Sequence, residues 1–214
     1  MEWKTSNTGG SAGRMKQKTE GKQTGLFTAR PLERKSTVIH CSIIGRDSVT
    51  SISARFDEGV FGNYGWKVPV GRSGLVGWDA LGSKIDSLEK DKEYSIFECL
   101  ALNGVADGGI WFFFSIDSKI GVRKEGLTSY YSPEDIYFRT FAVNGETIVA
   151  HRGSGERALF ELQREGNEYK IVRKIELTKP NGKPIEPQLV NNRENKLLFL
   201  DGDELYIYEV KSSV

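Results

Sequence analysis

The chain has 214 residues, 38% of them hydrophobic, and its 30 Lys and Arg balance 29 Asp and Glu to a formal net charge of +1. This length fits one domain with a tail or two small domains, and it can bury a core without disulfides or metals. No stretch approaches the roughly 20 apolar residues that span a bilayer, and the N-terminus lacks the apolar segment of a signal peptide. We therefore expect a cytoplasmic or virion protein with no membrane partner.

The first 35 residues differ in composition from the rest of the chain. They hold eight Lys and Arg against three Glu, together with many Gly, Ser, Thr and Gln. Such a composition does not repay the entropy of ordering by itself, so we expect residues 1–35 to be an irregular basic arm and 36–214 to be the globular domain. The arm is open to three roles: a solvated tail, an anchor in a protein partner, or weak, non-specific contact with nucleic acid. Its anchoring residues would be Arg14, Lys16, Lys18 and Lys22.

Short apolar runs separated by turn residues dominate the rest of the chain and predict β-strands. The predicted strands cover residues 37–44, 93–102, 110–116, 136–143, 147–151, 158–163, 169–177, 196–200 and 204–210. Turn signals separate several of them: Asn144-Gly145, Gly153-Ser154-Gly155, Asn181-Gly182 and Asp201-Gly202. The last is the clearest hairpin, because Asp-Gly supplies the positive φ that tight hairpin turns require.

Helix signals are few. Trp78, Leu81, Ile85 and Leu88 are spaced as on one face of a helix, which predicts a single amphipathic helix over 79–91. Ser132-Pro133 resembles a helix start, but the β-rich sequence after it allows one turn at most. The predicted fold class is therefore all-β, with at most one short helix.

Several predicted strands are apolar on both faces. The runs at 111–114 and 197–200 contain no polar residue. A sheet with one wet face would alternate polar and apolar residues instead. We therefore expect other layers, from this chain or from another subunit, to cover both faces of these sheets.

Three segments share one form, in which an apolar strand, a Gly turn and a second apolar strand follow each other. They are residues 108–122, 145–163 and 194–210, and their first strands start at Ile110, Ile148 and Leu197, spaced 38 and 49 residues apart. This part of the chain resembles the blades of a β-propeller, whose repeats are typically 40–50 residues long. The resemblance covers about half of the chain and includes no family signature motif.

A propeller-like body would explain the two-sided apolarity, because radial stacking of blades buries both faces of each sheet. The resemblance also implies that strand 37–44 completes the last blade as its outer strand. A β-sandwich or barrel body remains an equal alternative, and an α+β fold a weaker one.

Candidate groups for metal, cofactor or nucleophilic chemistry are sparse. His40 and His151 have no metal-ligand partner at neighbouring positions, so we expect no metal site and no cofactor. The two cysteines, Cys41 and Cys99, alternate with apolar residues and are predicted to be buried free thiols. A Cys99–His151 nucleophile pair has no support from the pattern.

A hydrolase would need a pair of facing carboxylates, which sequence separation does not reveal. Candidates are Asp57-Glu58, Glu134-Asp135 and the group Asp201, Asp203 and Glu204. Each has a simpler interpretation as a turn or a solvated edge, so we expect the protein not to be an enzyme.

The segment 56–78 places large aromatic residues among glycines, an arrangement suited to stacking on sugars or to filling a partner's pocket. It also contains the Gly-rich loop 71–77, whose Arg72 would contact a phosphate only if a helix began directly after it. The speculative binding residues are Phe61, Tyr64, Trp66, Arg72 and Trp78.

The leading functional hypothesis is a non-enzymatic structural or scaffolding protein that docks into a larger assembly, such as a virion or phage tail. Its partners would be other protein subunits or further copies of itself. The alternatives are a recognition module for glycans or peptides, and a hydrolase with an unrecognised carboxylate pair.

Overall fold

A computed structural model of the chain describes residues 75–79, 81, 83–88, 94, 96, 99–114, 117–153 and 155–211, and the backbone of residues 38–44 and 49–55. These ranges contain fifteen β-strands and no α-helix, which confirms the all-β fold class. Within them, no helix has the length and apolarity needed to cross a membrane.

The strands follow one another closely along the chain. They are β1 Val38–Ile44, β2 Val49–Arg55, β3 Leu75–Trp78, β4 Lys84–Ser87, β5 Cys99–Gly104, β6 Ile110–Phe114, β7 Lys119–Lys124, β8 Leu127–Pro133, β9 Thr140–Asn144, β10 Thr147–His151, β11 Ala158–Glu165, β12 Glu168–Glu176, β13 Leu189–Arg193, β14 Lys196–Asp201 and β15 Glu204–Glu209. All nine predicted strands overlap one of these.

Antiparallel pairing of consecutive strands divides the body into four up-and-down units. The first unit is β1–β4, the second β5–β8, the third β9–β12, and the fourth the three strands β13–β15. The three similar segments of the sequence form the second and third strands of the second, third and fourth units.

The second and third units join into one eight-stranded sheet. Their last strands, β8 and β12, pair in parallel over two residues, and their first strands, β5 and β9, lie in contact. The sheet is therefore nearly closed and barrel-like. The first strands of all successive units contact each other in this way, an arrangement that loosely fits propeller-like blades.

The hairpin signals of the sequence are found where expected. Gly145 and Gly202 both have φ of 59°, in the turns between β9 and β10 and between β14 and β15. This left-handed conformation favours glycine because other residues bring a Cβ atom close to the backbone.

The helix predicted over 79–91 is wrong. Lys84–Ser87 forms strand β4, which pairs with β3, and Leu81 is 92% exposed. The two strands are connected by a turn in which the Asp79 carboxylate accepts hydrogen bonds from the backbone N–H groups of Leu81 and Ser83. A short Asp side chain stabilises such a turn as readily as it caps a helix.

Two other local predictions are also wrong. Strand 37–44 does not complete the last unit, because β1 pairs with β2 in the first unit. Ser132 and Pro133 begin no helical turn, because both belong to β8 and lie beside Glu168 and Tyr169 of β12.

Three buried apolar clusters lie between successive units, and alternate residues of one strand enter different clusters. Phe112 packs toward the first unit with Leu75, whereas Phe113 packs toward the third unit with Phe138. The same alternation in the third unit sends Val149 to the cluster shared with the fourth unit. The predicted covering of both faces is therefore confirmed for the run 111–114, and the covering layers are neighbouring units of the same chain. In the run 197–200 only one face is covered by the described residues: Leu197 and Phe199 are buried, whereas Leu198 and Leu200 are partly exposed.

Two asparagines connect the units near the ends of their first strands, and one of them, Asn103, is buried. Asn103 on β5, only 1% exposed, donates to the carbonyls of Phe141 (3.1 Å) and Glu194 (2.7 Å) and accepts from the Glu194 N–H (2.9 Å). Asn192 on β13 donates in return to the Leu102 carbonyl (3.0 Å). These bonds join the second, third and fourth units, and the Glu194 carbonyl also accepts the backbone N–H of Val143 on β9 at 3.0 Å.

Candidate functional site

The speculative binding residues of the sequence fall mostly outside the described part of the chain. Trp78 is described and lies half-buried at the end of β3. Outside the described residues lie Phe61, Tyr64, Trp66 and Arg72, the arm residues Arg14, Lys16, Lys18 and Lys22, and the carboxylate pair Asp57-Glu58. Their proposed contacts remain predictions.

The Gly-rich loop 71–77 does not lead into a helix. Leu75–Trp78 is strand β3, and the next element of the described chain is strand β4. A phosphate site at a helix N-terminus is therefore ruled out at this position, because the backbone N–H groups of a strand do not converge on one anion.

Cys99 and His151 are not brought together. Cys99 belongs to the cluster between the first and second units, whereas His151 packs against Phe199 of the fourth unit with ring centroids 5.9 Å apart. The Cys99 thiol donates to the Ala101 carbonyl at 3.4 Å. Cys99 is buried, as predicted.

The His151 ring is buried and both of its nitrogens have partners. Nδ1 accepts from the Gly153 N–H (3.2 Å), so Nε2 carries the proton and donates to the Glu156 carbonyl (3.0 Å). Burial lowers the pKa of His151 below its ordinary value, since desolvation penalises the charged ring. This neutral imidazole holds the loop after β10 in place.

The carboxylates near the last hairpin are held by a lysine. Lys179 Nζ lies 2.9 Å from Asp201 and 2.9 Å from Glu204, and the Tyr206 hydroxyl donates to Glu204 at 2.6 Å. A hydrogen bond from Lys179 lowers the pKa of Asp201, and hydrogen bonds from Tyr206 and Lys179 lower the pKa of Glu204. The lowered pKa of Asp201 and Glu204 favours their ionised forms, whereas the general acid of a glycosidase needs a raised pKa.

The remaining carboxylate candidate also has a structural partner. Glu134 Oε2 accepts a hydrogen bond from the backbone N–H of Ile171 at 2.8 Å. This bond holds the segment that follows β8 against β12. Among the described residues, no group of three or more His, Cys, Asp or Glu side chains is placed to hold a metal ion.

An aromatic cluster inside the nearly closed sheet was not predicted from the sequence. Tyr169 meets Trp111 and Tyr131 edge-to-face, with centroids 6.4 and 5.7 Å apart, and Arg164 Nη1 donates to the Tyr131 hydroxyl at 3.4 Å. The Tyr169 hydroxyl is fully buried and has no hydrogen-bond partner among the described residues. Burial raises the pKa of Tyr169 well above its ordinary value, so the phenol is neutral.

The most distinctive surface lies on the fourth unit, on the side turned away from the third unit. We call this side of β13–β15 the open face. Side chains directly opposite in an antiparallel sheet share a face, so the pairing defines three rows across the strands. The rows are Leu189, Leu200 and Leu205; then Asn191, Leu198 and Ile207; then Arg193, Lys196 and Glu209.

The open face is aliphatic in its first two rows apart from the exposed Asn191, and it is charged in the third. Leu189 is 60% exposed and Leu205 36%, while Leu198, Leu200 and Ile207 are half-buried. None of these five belongs to a cluster formed by the described residues. The opposite side of the same strands carries Leu197, Phe199 and Tyr206, which are buried against the third unit.

Equivalent positions in the preceding units are covered. Phe113 and Val149 lie near the middle of the second strand of their units and face the next unit, and both are fully buried. Leu198 occupies the corresponding position in the fourth unit and is partly exposed. The open face thus has the composition of a unit-to-unit contact, with no covering unit among the described residues.

No protein-family model matches the chain, and no curated protein sequence is significantly similar to it.

Proposed function

We propose that this protein is a non-enzymatic structural module. Its four units would be the blades of a β-propeller-like body, and the body would dock into a larger protein assembly through the open face. We propose a protein partner because the aliphatic side chains of the open face are of the same kind as those through which the units of this chain pack against one another.

The open face is the single observation that carries this proposal. Five aliphatic side chains on three paired strands present a flat apolar surface bordered by a charged row. Contiguous exposed apolar patches of this kind mark interaction sites, because uncovered apolar area is unfavourable in water. An apolar centre with a polar rim is also the usual anatomy of a protein interface.

The neighbouring chemistry supports a structural over a catalytic function. Asp201, Glu204 and Lys179 neutralise one another, and His151 is fully hydrogen-bonded inside the body. The lowered pKa of both carboxyls favours their ionised forms, and the His151 ring is buried with both nitrogens bonded, so none of these groups is an accessible general acid.

Site-directed photo-cross-linking tests the proposal. A photoreactive phenylalanine analogue in place of Leu205, in the full chain expressed in its native cells, should cross-link to a discrete protein species. The same analogue in place of Val172, which is 54% exposed on β12, is the matched control and should not. Equal, diffuse labelling from both positions would refute docking through the open face.

A further inference from the structure

We infer that the covering layer of the open face is a second copy of this chain, related by a two-fold axis. This inference rests on the proposed docking function and names its partner. A two-fold dimer uses the same patch on both subunits, so the patch must be complementary to itself. The rows of β13–β15 meet this requirement in one orientation only.

The suitable axis runs parallel to the strands, between the two facing sheets. The middle strand β14 then lies over its own copy, while β13 lies over β15 of the other subunit. The all-leucine row meets its own copy, and in the second row Leu198 meets Leu198 at the axis while Asn191 at the sheet edge lies opposite Ile207 of the partner subunit. Burying these rows together removes the largest apolar part of the open face from water.

The charged row is complementary in the same orientation. Arg193 on β13 lies opposite Glu209 of the partner subunit, and the symmetry forms this pair twice. Lys196 on β14 meets its own copy, but its long stem allows the ammonium group to turn toward solvent or toward either Glu209. Opposite charges at the rim of an interface fix the register of the two subunits.

The perpendicular axis is unfavourable. An axis along the rows would place Leu189, Leu200 and Leu205 over Arg193, Lys196 and Glu209 of the partner subunit. Charged groups would then lose water without gaining partners, which is unfavourable. Row-on-row packing with the axis along the strands avoids this cost.

The size of the face predicts a weak dimer. Three strands about 4.8 Å apart and five to six residues long present roughly 300 Å² of flat area. Side chains that project from each face add to this area, but two such faces together still bury less than the ~1,200 Å² that stable interfaces reach. The dimer should therefore form at micromolar or higher protein concentrations, and its apparent mass should depend on concentration.

Sedimentation velocity of the full chain, across a micromolar to millimolar concentration series, tests the inference. The wild-type chain should shift from monomer to dimer. Leu198→Glu, which places two carboxylates at the axis, should weaken the dimer at least tenfold, whereas Val172→Glu on another surface should not change it. Thermal melting by circular dichroism would verify that both variants are folded.

Charge reversal tests the orientation. Arg193→Glu and Glu209→Arg should each weaken dimerisation, and the double variant should restore it because the pairs form again with their signs exchanged. A dimer that is insensitive to Leu198→Glu would overturn the inference, and so would a double variant that remains as weak as the single ones.

The outcomes also separate this inference from the proposed function. A chain that stays monomeric while position 205 cross-links to a different protein overturns the dimer and leaves the docking function standing. A chain that stays monomeric and forms no specific cross-link overturns both.

Discussion

Replacement of Asn103 by Ala tests whether the connecting asparagines hold the units together. The substitution removes three hydrogen bonds, two donated to the carbonyls of Phe141 and Glu194 and one accepted from the Glu194 N–H. A typical hydrogen bond contributes about 1 kcal/mol net, and each group left buried without a partner costs about 1–3 kcal/mol. We expect the free energy of unfolding to fall by about 2–4 kcal/mol. This is less than the full sum of these contributions, because the backbone can relax around the smaller side chain.

Urea unfolding followed by tryptophan fluorescence measures this change. The midpoint should decrease while the denaturant dependence stays the same, because the folded state keeps its area. Asn181→Ala, which removes one hydrogen bond in an exposed turn, is the control and should change stability by less than ~0.5 kcal/mol.

A third variant separates the donors from the acceptor. Asn103→Asp keeps the acceptor for the Glu194 N–H but places a carboxylate beside two carbonyl oxygens. It should be at least as destabilising as Asn103→Ala at neutral pH and less so in acid, where the carboxyl can donate. A loss below ~1 kcal/mol for Asn103→Ala would refute the view that this residue connects the units.

Three further changes test individual contacts. Tyr169→Phe should leave stability unchanged or raise it by up to ~1 kcal/mol in urea unfolding, because it removes a buried hydroxyl that has no partner among the described residues; a clear loss would show that the hydroxyl is bonded. Gly121→Ala should lower the melting temperature strongly, since the added Cβ would lie 2.1 Å from the buried Phe112 ring; a near-wild-type melt would contradict this close packing. The lowered pKa of His151 means that protonation favours the unfolded chain, so stability should be full above pH 6.5 and fall as the pH decreases below it. His151→Gln should remove this component of the pH dependence measured by chemical unfolding, and an unchanged dependence would assign it to other groups.

Local sequence patterns determined the strands and the tight turns correctly where the signal depends on near neighbours. Residues 147–151 and the Asp201-Gly202 hairpin were predicted within a residue, because β-branched and aromatic runs favour extended backbone and Asp-Gly favours the hairpin turn. The covering of both faces of β6 was also predictable, since its all-apolar run leaves no side for water, whereas the same pattern in β14 did not show that one of its faces is open.

The sequence pattern did not predict several strands that are rich in polar residues, because pairing with neighbouring strands stabilises them. Strands β7, β8 and β13 are rich in Lys, Arg, Ser, Tyr and Asn, and only their pairing in the units shows them to be strands. The helix-like spacing over 79–91 was misleading for the same reason. Tertiary contacts override it, including the bidentate pairing of Arg123 on β7 with Asp86 on β4 at 2.5–2.6 Å.

By itself, the sequence determined that this is an all-β chain whose sheets must be covered, because alternation and turn chemistry act over a few residues. It did not reveal which layer covers which face. The tertiary structure decided that Phe113 and Val149 lie under the next unit and that Leu198 lies on the open face, although all three belong to similar apolar strands. The difference depends on which units follow one another in space, and contacts between residues far apart in the chain are not encoded in any local pattern.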